Sequence, residues 1–162
     1  MFEIGEYVIY KHEVCVVKEI KKEKNNKEYY SLIPLSDNTL KIAIPIELVN
    51  KSIRKLITKE QALDLIKNMK DIEIIKLDSK LLEAEYKKLL QDDSHESLVK
   101  IIKTTYVRNK ERVDSKRKIS DKDDYYFKIA EKYLYNELSI VLNKTFNETK
   151  EYIINEVEKN SK

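Results

Sequence analysis

The spacing of apolar side chains changes near residue 57, and this change divides the chain into two parts. In the first part, short β-branched and aromatic runs alternate with polar residues at a period of about two, which is typical of half-buried antiparallel strands. The strands predicted from this pattern are Tyr7–Tyr10, Val14–Glu23, Tyr29–Leu35, Leu40–Ile44 and Ser52–Leu56. Asn-containing turns are predicted at 24–27 and 37–38, because Asn tolerates left-handed backbone. Short strands joined by tight turns predict a small SH3-like or Tudor-like β-barrel.

Beyond residue 57 the apolar residues follow the helical period instead. Thr58–Gln61 is a capping-box pattern, and Leu63, Ile66 and Met69 then share one helical face, which predicts a helix over 59–70. Four later helices are predicted around Leu81–Leu90, Leu98–Tyr106, Tyr126–Leu142 after a Ser120–Asp123 cap, and Ile153–Val157 after a Thr145–Glu148 cap. Because Gly5 is the only glycine, the helix ends are expected to use Asn or Asp. The predicted fold class is α+β, with an antiparallel barrel domain at 1–57 and an all-α domain of about five helices at 58–162.

Charge is concentrated in one stretch of the second part. The whole chain has a formal net charge of +3, whereas residues 100–118 hold eight basic and two acidic residues, a local charge of +6. A basic run of this kind either neutralises nucleic-acid phosphates or forms a solvated helix end and loop, and the sequence leaves both interpretations open. The cations considered are Lys103, Arg108, Lys110, Arg112, Lys116, Arg117 and Lys118.

The sequence contains few candidate catalytic or metal-binding residues. With one cysteine, Cys15, and two histidines, the chain has no intramolecular disulfide and no structural zinc site of thiolate or imidazole type. His12 lies near Cys15, but no orienting third group or oxyanion motif accompanies them, so we expect neither catalysis nor a metal or cofactor. No signal peptide or apolar run near 18 residues is found, and a cytoplasmic location is expected.

Two further clusters have a structural and a functional interpretation. Four tyrosines in the fourth predicted helix could stack on bases, but helical spacing favours core packing. Three aspartates near its start could bind a cation, although the preceding Ser120 favours helix capping and dipole compensation. These residues are Tyr125, Tyr126, Tyr133 and Tyr135, and Asp121, Asp123 and Asp124.

The order of short β-rich runs in the first sixty residues, with Gly5 before the first and Pro45 ending the fourth, resembles the RNA-polymerase-interacting domain of the bacterial CarD family of transcription regulators. The helical part is similar to the family in its basic Arg108–Arg112 segment, expected as a turn after the third helix. The Ser120–Asp123 cap and the Ala130–Leu138 segment extend this resemblance. Membership in this family implies regulation by contact and not by catalysis.

The resemblance implies that the barrel docks on the β-subunit lobe of RNA polymerase, partly by strand-edge pairing. An exposed strand edge suits such addition because its backbone groups are already aligned. The edge it implies is Lys41, Ile42, Ala43 and Ile44. The family's polymerase-contact positions fall on Lys22 and Ala43; some relatives have arginine at both, so Lys22 and neighbouring Lys41 are left to supply the charge.

The resemblance also implies that the helical domain contacts promoter DNA, without sequence specificity, near the upstream edge of the transcription bubble, where it modulates open-complex stability. The residues assigned to phosphate contact are Lys80, Lys103, Arg108, Lys110, Arg112, Lys116 and Arg117. Many relatives place a tryptophan wedge where this chain has Leu77 and Asp78, and the chain has no tryptophan. Leu77 only approximates a wedge. The protein is expected to be a monomer. The alternative is a protein-interaction module that binds polymerase or another partner without a DNA role.

Overall fold

The computed structural model describes residues 2–92 and 94–160, except for the side chains of residues 158 and 160. The chain divides into two compact units, Met1–Ile57 and Thr58–Lys162. Within the described residues, no helix is long and apolar enough to cross a membrane.

The first unit is built on a five-stranded antiparallel sheet. Its strands are β1 (Tyr7–Tyr10), β2 (Glu13–Lys22), β3 (Glu28–Pro34), β4 (Ile42–Pro45) and β5 (Ile53–Lys55). They are paired in the order β4-β3-β2-β1-β5, so β4 and β5 are the outer strands of this order. The predicted strands and their antiparallel pairing are confirmed, whereas closure into a barrel stays a prediction.

Alternate strand residues form the core of this unit. Val8, Cys15, Val17 and Leu32 are fully buried, as the period-two pattern predicts for one covered face. Tyr30 joins them, and its hydroxyl accepts from the Phe2 backbone N–H at 3.2 Å and donates to the Phe2 carbonyl at 3.3 Å. These two bonds satisfy a buried phenol and fix the start of the chain against the sheet.

The two predicted turns of this unit are formed by local side-chain chemistry. Asn26 has a left-handed backbone with φ of 63° between β2 and β3, as expected for the 24–27 turn. Asp37 accepts hydrogen bonds from the backbone N–H and the hydroxyl of Thr39 at 3.0 and 2.6 Å, and these bonds lower the pKa of its carboxyl. After β4, a single helical turn, α1 (Val49–Ser52), leads into β5.

In the residues that the structure describes, the second unit contains helices and connecting segments but no strand. Its helices are α2 (Lys59–Asn68), α3 (Ser79–Gln91), α4 (His95–Asp114), α5 (Asp121–Val141) and α6 (Phe146–Asn160), with a 3₁₀ turn at Met69–Asp71 after α2. The predicted caps are confirmed. Thr58 forms a complete capping box with Gln61, and Ser120 Oγ accepts from the Asp123 N–H at 3.2 Å.

The expected turn at Arg108–Arg112 is wrong, because these residues lie inside α4. The segment is polar and has no strong apolar period, but Arg, Lys and Glu are good helix formers, so the helix continues beyond the apolar stripe. It ends at Asp114 in a Schellman motif, in which Lys116 has a left-handed backbone with φ of 61° and Arg117 N donates to Arg112 O at 2.7 Å. The expected Asn ends α5 at Asn143, whereas lysine takes the equivalent place in α4.

The helical core confirms packing for part of the tyrosine cluster. Tyr126 and Tyr135 are buried, Tyr133 is half-buried, and Tyr125 is 60% exposed. Tyr126 packs against buried Tyr86 with ring centroids 5.1 Å apart. Core packing therefore accounts for Tyr126 and Tyr135 but not for Tyr125.

Candidate functional site

The strand edge expected to bind a partner lies on β4. β4 is paired with β3 on one side, with Ser31 opposite Ala43 and Leu32 opposite Ile42. Ile44 is buried and Ile42 half-buried, whereas Lys41 and Ala43 are exposed. The apolar side chains therefore anchor β4 to the domain, while its outer backbone edge has no strand neighbour in the described sheet.

The two candidate polymerase-binding cations, Lys22 and Lys41, do not both lie on this edge. Lys22 is paired with Glu28, one position beyond Tyr29, which is itself paired with Pro45 at the end of β4. Lys22 therefore lies level with the C-terminal end of β4 and two strands away from it. Lys41 precedes the opposite end of β4. Lys41 is thus near the edge, but it does not form a joint site with Lys22.

Cys15 does not have the character of a nucleophile. Its side chain is fully buried, and burial together with the nearby Glu13 carboxylate raises the pKa of the thiol to about 11. The sulfur therefore stays protonated at neutral pH, when only the thiolate reacts readily.

The side chain of Lys103, one of the expected DNA contacts, forms hydrogen bonds within the helical unit. Its ammonium group donates to the carbonyl of Met69 at 2.8 Å, to that of Lys70 at 3.3 Å and to that of Ile72. Burial lowers the pKa of Lys103, with Asp71 opposing the shift. The side chain satisfies carbonyl groups at the end of the 3₁₀ turn, where a helix end leaves such groups unpaired.

Replacing Lys103 with Met is expected to destabilise the helical unit by about 2 kcal/mol, because several charge-assisted bonds to carbonyls are lost at once. Urea denaturation followed by far-UV circular dichroism measures this change. Lys110→Met is the matched control, since Lys110 is exposed on the same helix, and a change within about 0.5 kcal/mol is expected there. Equal stability of the two variants would contradict the capping role.

Arg108 is also held internally, at the junction of α3, α4 and α5. Its Nε donates to Asp123 Oδ2 at 2.8 Å, and Tyr86 donates from its hydroxyl to Asp123 Oδ1 at 3.0 Å. The Asp123 side chain is only 4% exposed, so both oxygens of a buried carboxylate are satisfied by these two residues. Burial and the Asp123 carboxylate raise the pKa of the Tyr86 phenol, which therefore stays a hydrogen-bond donor.

This junction brings some of the expected site residues together. Ser79 Oγ lies 3.5 Å from Arg108 Nη2, so the start of α3 is next to the arginine. Leu77 and Asp78 immediately precede α3, with Leu77 43% exposed, and Lys80 is exposed in its first turn. The wedge position, Lys80 and Arg108 thus share one end of the helical unit.

The remaining cations extend from the end of α4. Arg112 is one turn beyond Arg108 on the same helical face, because residues four apart are neighbours on a helix. Lys116 and Arg117 are exposed in the loop that follows. Lys110 is exposed on a different face of α4, beside Val113 and Ile119. The expected DNA residues therefore form no single surface. Half-buried Arg112 and exposed Lys116 and Arg117 are the group of cations near one helix end.

The sequence interpretation of Asp123, a helix cap with cation binding as the less favoured alternative, missed its role in holding side chains of other helices. The Ser120 cap is present, and Asp123 additionally holds Arg108 and Tyr86. These partners are 15 and 37 residues away, so no local signal could have identified them.

Comparison with known proteins gives a partial match. Residues 2–57 match the family model described as the CarD-like/TRCF RID domain, which covers about a third of the chain and corresponds to the five-stranded unit. No curated protein matches the chain. The resemblance of the helical unit to CarD proteins therefore stays a prediction. The N-terminal unit, in contrast, is similar over residues 2–57 to the CarD-like/TRCF RID domains, and this match supports a CarD-like RNA-polymerase-interacting family.

Proposed function

We propose that this protein is a non-enzymatic transcription regulator that binds the β-subunit lobe of RNA polymerase along the outer edge of β4. The family match over residues 2–57 carries the proposal. The position of β4 supports it, because an outer strand anchored by Ile42 and Ile44 can accept a partner strand without rearranging the core. Lys41 adds positive charge at one end of that edge, and Lys22 adds positive charge on β2, two strands away.

The two units, produced separately as residues 1–57 and 58–162, are expected to differ in polymerase capture. Residues 1–57 should retain the β-subunit lobe and residues 58–162 should not, because the edge and the family match lie in the first unit. Immobilised units with purified lobe provide the measurement, after circular dichroism has confirmed that each is folded. Capture by residues 58–162 alone would contradict the proposal.

The helical unit contributes promoter DNA contact in this proposal. Arg112, Lys116 and Arg117 are the main phosphate-binding residues, since the side chains of Lys103 and Arg108 are committed to carbonyl and carboxylate groups of the unit itself. Exposed cations at a helix end bind phosphate without reading sequence. Leu77 and Lys80 are close in sequence to Ser79, which contacts Arg108, and they contribute a small apolar surface and one charge at the bubble edge.

Modulation of the open complex follows from this arrangement as a weak effect. A wedge prolongs the life of the bubble in proportion to the apolar surface that it places between bases. Leu77 offers much less surface than an indole, and Asp78 next to it is repelled by phosphate. The protein therefore stabilises open complexes mainly by tethering DNA to the polymerase.

DNA binding by the full chain is expected to be weak, independent of sequence and steeply dependent on salt. The triple variant Arg112→Gln, Lys116→Gln, Arg117→Gln should reduce the slope of log Kd against log salt by about 1 for each phosphate contact that is lost. Fluorescence anisotropy with a labelled duplex measures the slope. The control Lys18→Gln, Lys24→Gln, Lys27→Gln removes the same charge from exposed sites in the N-terminal unit and should leave the slope nearly unchanged.

The same titration discriminates the alternative, a protein-interaction module without a DNA role. The internal bonds of Lys103 and Arg108 favour that alternative, because they remove two of the seven expected phosphate contacts. Two results would favour this alternative over the DNA part of the proposal. One is that the parent protein does not bind duplex at low salt, and the other is that the variant Arg112→Gln, Lys116→Gln, Arg117→Gln leaves the slope unaltered.

A further inference from the structure

A cleft in the helical unit has the size of a small-molecule site. It has a volume of about 370 Å³ and lies among α4, α5, α6 and the Met69–Asp71 turn. Such volumes are typical of ligand pockets, which are mostly apolar with a few polar groups. Six of its apolar lining residues are Ile102, Tyr106, Phe127, Leu134, Tyr135 and Ile153.

One polar group of the cleft is incompletely satisfied. Glu131 lines the cleft, and its Oε2 is buried with no hydrogen-bond partner among the residues that the structure describes. Its other oxygen, Oε1, lies 3.3 Å from Lys150 Nζ. Buried carboxylate oxygens in native proteins nearly always have a donor, so the bare Oε2 requires an explanation.

The charges around Glu131 restrict what that donor is. The two lysines that line the cleft are already engaged, Lys150 by Oε1 and Lys103 by backbone carbonyls such as that of Met69. Two cations and one carboxylate line the cleft, so a positively charged ligand meets net repulsion, while an anionic group placed at Oε2 is repelled by the Glu131 carboxylate. A neutral N–H or O–H group satisfies Oε2 at no electrostatic cost.

We propose that this cleft binds a neutral, apolar small molecule that carries a single N–H or O–H donor, and that the donor bonds to Glu131 Oε2. The aromatic rings of Tyr106, Phe127 and Tyr135 pack against the apolar body of the ligand. Oε2 has almost no exposed surface, so a neighbouring side chain turns aside when the ligand enters.

The proposal is tested with indole and N-methylindole, which have similar apolar surfaces and differ in the N–H donor. Each is titrated into the full chain, and chemical shifts are followed by NMR at Ile102, Phe127 and Tyr135. Indole is expected to bind about fivefold to tenfold more tightly, the factor that one hydrogen bond to a charged acceptor supplies. In Glu131→Leu this preference should disappear while N-methylindole still binds.

A second variant guards against unfolding of Glu131→Leu. Glu131→Gln keeps the shape of the side chain and removes its charge, and it should reduce the preference for indole to about twofold or less. Equal binding of the two probes to the parent protein, or no shifts with either at millimolar concentration, would overturn the proposal and leave water as the partner of Oε2. If the chemical shifts of the same residues changed with protein concentration and light scattering showed a dimer, the cleft would be a contact between two copies of the chain, and the proposal would be overturned.

Discussion

Reversing the charge of Arg108 is expected to unfold the helical unit or to destabilise it by about 3–5 kcal/mol. The reason is the buried carboxylate of Asp123, which would lose its cation and acquire a second carboxylate beside it. Arg108→Glu removes the 2.8 Å bond to Oδ2 and leaves Tyr86 as the remaining described partner of Asp123. The measurement is urea denaturation of the full chain, followed by far-UV circular dichroism.

Arg112→Glu is the matched control for this change. Arg112 lies one turn further along α4, and no ion pair of its side chain is found among the described residues, so a change within about 1 kcal/mol is expected. If Arg108→Glu were as stable as Arg112→Glu, the Asp123 network would not hold α3, α4 and α5 together. A loss of DNA binding in Arg108→Glu would, on our interpretation, report loss of folding and not loss of a phosphate contact.

Local patterns were sufficient to predict the five strands and the helices α2 to α6, whereas the short helix α1 was not predicted. The period-two runs located β1 to β5, and the side chains of Thr58, Ser120 and Thr145 located three helix starts, because capping bonds join residues that are close in sequence. The error at Arg108–Arg112 arose where the apolar period ended before the helix did. Intrinsic helix propensity and the Lys116 Schellman motif decided the true end.

The candidate sites were less predictable, because they depend on partners that are distant in sequence. Lys103 reaches carbonyls 31 to 34 residues earlier, and Arg108 reaches a carboxylate 15 residues later. In the sequence all seven basic candidates look equivalent, whereas the structure separates those with internal partners from those exposed near the end of α4. The unpaired oxygen of Glu131 is likewise invisible in sequence, since it depends on how α5 and α6 pack.

Proline in β4 is expected to abolish binding to the β-subunit lobe. Successive residues of an antiparallel strand direct their N–H groups to opposite sides, so one of Ile42 and Ala43 donates towards β3 and the other away from the sheet. Proline at the outward residue removes a donor needed for strand addition and costs the fold little, whereas proline at the inward residue breaks a ladder bond. The variant that retains the higher Tm therefore identifies the outward position, and it is the one expected to lose binding.

The affinity of the full chain for the purified β-subunit lobe, measured by isothermal titration calorimetry, tests the central claim most directly. The parent protein and Ala43→Ser, which keeps the backbone donor, should bind with similar Kd. The better-folded proline variant should bind at least about tenfold more weakly, a loss of about 1.4 kcal/mol or more. If both proline variants were folded and bound the lobe as tightly as the parent, the edge of β4 would not be the polymerase-binding surface.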